Sequence, residues 1–105
     1  MPIFIVISRH SPESCPIINE KERKFNQEAF VKTGGLAKKH RIKGLGSYVV
    51  MPEHAVYEIV EAPSAEAFMH FMSEPYMMQF LAHSVTEIKA AMPLEETMKM
   101  LQKVK

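Results

Sequence analysis

A chain of 105 residues is the length of one domain, and 47% apolar with 24% charged residues is ordinary globular composition. A net charge of +1 excludes the strongly basic class that grips nucleic acid or an anionic membrane. The single cysteine, Cys15, excludes an internal disulfide.

Residues 3–8 (Ile-Phe-Ile-Val-Ile-Ser) are apolar on both faces, which predicts a central strand covered on both sides. The segment from Ser11 to Pro16 reads as a loop punctuated by Pro12 and Pro16. Asn19 followed by Glu22 is a variant capping box and opens a helix. That helix is expected to run to about Lys32 and to be interrupted at Gly34-Gly35, with Leu36 to His40 adding a turn or two. The cations Lys38, Lys39, His40, Arg41 and Lys43 suit the negative end of a helix dipole.

Residues 44–51 and 54–61 read as strands two and three, joined by a turn at Pro52-Glu53, and so tight a connection makes an antiparallel hairpin. Ser64 is placed to cap a second helix, with Glu66 in its first turn and Phe68 and Met72 on its inner face. Glu74-Pro75 breaks that helix, Tyr76 to Leu81 form a short helical turn, and residues 84–91 are strand four. Pro93 opens a final helix with Leu94, Met98 and Leu101 at i, i+4 and i+7. Of the nine methionines, Met69, Met72, Met77 and Met78 fill core gaps or line a soft pocket.

The order β-α-β-β-α-β plus one helix predicts a single α+β domain over 1–105, a ferredoxin-like sandwich. Strands one and three are expected as parallel neighbours in the middle, with strands two and four at the edges. Both helices then cover one face, and a second copy covers the other, giving a homodimer. No apolar stretch approaches the ~20 residues of a membrane helix, and the chain opens on a strand-like run. A cytoplasmic setting without a membrane partner is expected on that ground.

This topology gathers His10, the Cys15 loop, Glu61 and His83 at one end of the sheet and puts His54 at the other. Phe4, Val6, Ser8 and His10 share one face of strand one, and the polar Ser8 and His10 suggest the face away from the helices. His10, Cys15 and His83 are a donor set for a divalent transition metal such as zinc, nickel or copper. The competing reading is a reduced loop cysteine beside histidines bonded to backbone. Glu58, alone in an otherwise apolar strand, is either a rim carboxylate or a pocket acid or base with a pKa raised by desolvation. Glu58 and His10 are the candidate proton carriers, and Ser8, Tyr48 and Glu61 the candidate ligand-binding residues. The class of function expected is small-molecule or metal-ion binding. Cys15 as a nucleophile near the positive end of the first helix is a further reading.

The opening Met-Pro-Ile-Phe-Ile-Val, with Pro12 and Pro16, resembles the start of the tautomerase superfamily. That resemblance covers about the first sixteen residues and implies Pro2 as a base once Met1 is removed. The stretches Gly44-Leu45-Gly46-Ser47-Tyr48-Val49-Val50, Pro52-Glu53-His54 and Val60-Glu61-Ala62-Pro63-Ser64-Ala65-Glu66-Ala67 resemble the small stand-alone dimeric α/β-barrel proteins, most of all their uncharacterised members. This second resemblance implies the dimeric barrel. Through its enzymatic branches it implies a cofactor-free monooxygenase or isomerase as the alternative function.

Overall fold

The structure is a computed structural model that describes residues 1–104. Four strands, β1 (Ile3–Arg9), β2 (Lys43–Val50), β3 (Ala55–Glu61) and β4 (Val85–Ala91), form one sheet. Its order is β2-β3-β1-β4, and every neighbouring pair is antiparallel. Four helices accompany it: α1 (Glu20–Lys39), α2 (Ala65–Met72), α3 (Pro75–Leu81) and α4 (Leu94–Gln102). Among the described residues, no helix is long and apolar enough to cross a membrane.

Local chemistry accounts for most boundaries. The Asn19 side chain accepts from the Glu22 N–H at 3.0 Å, and the Ser64 hydroxyl accepts from the Ala67 N–H at 3.0 Å. Each thus satisfies one of the orphan donors at a helix start. Pro75 sits in the first turn of α3, where its missing N–H costs nothing.

Two expectations about the elements are corrected. The first helix does not stop near Lys32: α1 continues through Gly34-Gly35 to Lys39. Two glycines cost roughly 1 kcal/mol each against alanine, and the packing of Leu36 and Ala37 on the core offsets that cost. Strands one and three are neighbours, but antiparallel ones. The crossover makes β2 parallel to β1, and the hairpin then reverses β3. Ile3 therefore faces Glu61, and Arg9 faces Ala55, so Glu61 and His54 exchange the ends expected of them.

The sheet face is corrected too. Phe4 stacks on Phe68 of α2 with centroids 4.2 Å apart. Phe4 and Val6 also pack on a core of Ile42, Val60, Ala62, Phe68, Phe71 and Met77. The Phe4-Val6-Ser8-His10 face is therefore the helix-covered one. Its polar residues open on a cavity under the helices, which is why polarity misread the side. On the outer face, Arg9 donates to Glu87 at 3.2 Å and to the Tyr57 hydroxyl at 3.5 Å, and Tyr57 donates to Glu53 at 2.8 Å. Met72 and Met77 belong to the core, whereas Met69 and Met78 are exposed.

The fourth helix buries none of its predicted stripe: Leu94, Met98 and Leu101 are 75%, 50% and 58% exposed. The radius of gyration, 15.7 Å, exceeds the ~13 Å of a compact chain this long.

Candidate functional site

A cavity of about 560 Å³ lies between the sheet and α1–α3. Its floor is Val6, Ser8 and His10 of β1 with Val56, Glu58 and Val60 of β3, the alternating residues that the pleat turns to one side. Phe68, Phe71, Met72, Met77 and Phe80 close it from α2 and α3, and Glu22, Asn26 and Thr33 from α1.

Glu58 sits mid-floor, opposite Val6 on β1 and Ser47 on β2. Its exposed surface faces the cavity. Surrounding protein strips water from the carboxylate and pushes its pKa up. Among the described residues no side chain pairs with it, so desolvation acts uncompensated. The strand pattern singled out this residue, and it lines the cavity.

At one end of the cavity three chain segments meet. His10 follows β1, Cys15 lies in the loop before α1, and His54 precedes β3. One donor atom from each of these residues lies within 4.8 Å of the other two. The His10 N–H donates to the His54 carbonyl at 3.1 Å, and the rings meet edge to face with centroids 5.4 Å apart. Cys15 is free and buried. Its carbonyl accepts from the N–H of Ile18 at 3.1 Å and of Asn19 at 2.8 Å. Arg23 clamps the same loop by donating to the Pro16 and Ile17 carbonyls at 3.0 and 2.9 Å. His54 holds a left-handed backbone, φ 52° and ψ 44°, after the turn Met51–Glu53. Burial, and secondarily His54, lower the His10 pKa, with Glu22 opposing. Two imidazoles and one thiol are a donor set that could hold a metal.

The other expected residues divide. Ser8 and His83 line the cavity, but His83 is engaged elsewhere. Its Nδ1 lies 3.0 and 3.1 Å from the two Glu22 carboxylate oxygens, and its ring stacks on Phe25 at 3.8 Å. Tyr48 pairs with Tyr57 and is 62% exposed on the outer face, and its ring folds over Gly46. Ser47 takes the cavity position instead. Glu61 stands opposite Ile3 and Lys43, at the far end from His10. Pro2 is exposed and its carbonyl accepts from the Ala62 N–H at 3.0 Å; it is not among the cavity residues. Sequence reasoning missed His54 and Glu22. Correct strand directions alone would have found His54.

A family model described as a domain of unknown function, DUF3303, matches residues 3–105. No curated protein matches the chain.

Proposed function

For this chain, which belongs to the DUF3303 family, we propose small-molecule binding: the cavity takes a compact, mainly apolar ligand whose polar group bonds Glu58. The observation that carries this reading is a partly desolvated carboxyl, unpaired among the described residues, on the floor of a mainly apolar cavity of about 560 Å³. Small-molecule sites combine such a volume with few polar anchors. A carboxyl held above its ordinary pKa both donates to a carbonyl when protonated and takes a proton when ionised.

The enzymatic form of this reading is cofactor-free proton transfer with Glu58 as the carrier, and the same raised pKa favours it. His10 is not its partner. It lies four positions along β1 from Val6, which faces Glu58, or roughly 13 Å at the rise of a strand. Ser8 and Ser47 are the nearer hydrogen-bonding groups on the floor.

The strand order supports the ferredoxin-like arrangement, and the uncovered apolar stripe of α4 supports a homodimer of the dimeric-barrel kind. A free, buried cysteine suits a reducing, cytoplasmic compartment.

The test is a thermal-shift screen of small aromatic and aliphatic carbonyl compounds, with hits measured by calorimetry. The expected result is saturable one-to-one binding that Glu58→Gln weakens about tenfold. Binding unaffected by both Glu58→Gln and Glu58→Leu overturns the assignment.

A further inference from the structure

We propose that His10, Cys15 and His54 form a divalent transition-metal site of the zinc type, with one coordination position left open at the cavity end. Its donors are not the set that the expected topology gathered, because His54 replaces His83.

Three observations carry the assignment. The first is convergence: single donor atoms from three separate segments lie within 4.8 Å of one another. Around tetrahedral zinc, with Zn–N near 2.0–2.1 Å and Zn–S near 2.3 Å, the donors of such a set stand about 3.3–3.6 Å apart. Small side-chain rotations close that difference. The second is His10 Nε2, which is buried and, among the described residues, has no hydrogen-bond partner. A buried polar nitrogen left unsatisfied is costly, and a metal bond satisfies it. The third is fastening. The His10 N–H to His54 carbonyl bond at 3.1 Å ties two ligand segments together, and the Asn19 amide donates to the Glu13 carbonyl at 3.1 Å within the loop that carries Cys15. Ligands held by their own backbone surroundings lose little entropy on binding an ion.

Two imidazoles and a thiolate match borderline-soft divalent ions rather than magnesium or calcium, which take oxygen. Three protein ligands and a fourth open position are the pattern of sites that bind water or an exogenous ligand. His10 lines the cavity, so an ion held by this set would stand beside it. The site stands independently of Glu58.

The test is titration of the metal-free chain with Co²⁺, a spectroscopic stand-in for zinc. The expected result is one ion per chain, with visible ligand-field bands and a near-ultraviolet thiolate charge-transfer band. Cys15→Ala removes the charge-transfer band. His54→Asn, which keeps a residue tolerant of the left-handed backbone, weakens binding about 100-fold or more. Glu58→Gln and His83→Gln leave the titration unchanged. No saturable spectrum in the wild-type chain overturns the site, as does an unaltered spectrum in both Cys15→Ala and His54→Asn. Should Cys15→Ala fail to fold, His54→Asn alone decides.

Discussion

The backbone N–H of His10 meets the carbonyl of His54 at 3.1 Å, and this bond extends the β1–β3 ladder by one rung beyond Arg9 and Ala55. It joins the end of one central strand to the start of the next and brings both imidazoles together.

The cost of that junction falls on His54, a non-glycine residue at φ 52° and ψ 44°. A left-handed backbone costs an L-residue about 1–2 kcal/mol, more for a β-branched side chain and least for asparagine or glycine. His54→Val should lower the free energy of unfolding by about 1–2 kcal/mol, and His54→Asn should leave it within about 0.5 kcal/mol. Urea denaturation of metal-free protein measures both. Equal stability of the two variants would show that the turn relaxes without strain.

Glu58 makes stability depend on pH with a defined sign. Its folded pKa is raised by burial, so the folded state holds this proton more tightly than the unfolded chain, whose glutamate titrates near 4.3. The stabilisation from that proton is complete below the unfolded pKa and fades as pH rises through the folded one. Glu58→Gln, which cannot ionise, should therefore melt above wild type at pH 8 and nearly with it at pH 4, by a margin that the carboxylate's remaining contact with water keeps small. Melting curves across that range check this; a variant that melts below wild type at pH 8, with the gap closing toward acid, would mean that the carboxylate is paired.

Much of this was legible in the residues. Asn19 and Ser64 cap helices as their spacing said, because capping is decided within four residues. Glu58 stood out on an apolar strand and proved to be the cavity's polar floor. The errors lie where tertiary structure decides. The crossover and the hairpin each set a strand direction, and combining them wrongly moved His54 and Glu61 to opposite ends. The irregular register between Gly44 and Gly46 falls at strand glycines, which often mark a bulge, and it decides that Ser47 rather than Tyr48 points inward. Polar Ser8 and His10 suggested the face away from the helices because polarity marks a cavity on either side of the sheet equally well.

Gly35 tests how α1 crosses its glycine pair. A Cβ built there meets nothing within 4 Å, and no glycine has a positive φ. Its backbone freedom is thus lost on folding without structural return. Gly35→Ala should stabilise the chain by about 0.5–1 kcal/mol, read as a higher urea midpoint with an unchanged slope. A loss of stability instead would show that α1 bends at this point in solution.

The last helix carries the prediction about assembly. Nine residues are too few for a helix to persist in water without tertiary support, yet Leu94, Met98 and Leu101 lie more than half exposed or close to it. A second copy that covers this stripe supplies the missing packing, and self-pairing of one surface is the commonest route to a closed dimer. Sedimentation equilibrium at micromolar concentration should give twice the 12.0 kDa chain mass. Replacing both Leu94 and Leu101 with lysine should shift the protein to monomer and reduce its helical circular dichroism, because α4 then loses its support. A wild-type monomer with α4 fully protected from amide exchange would place that support within the chain and remove the case for a dimer built on this helix.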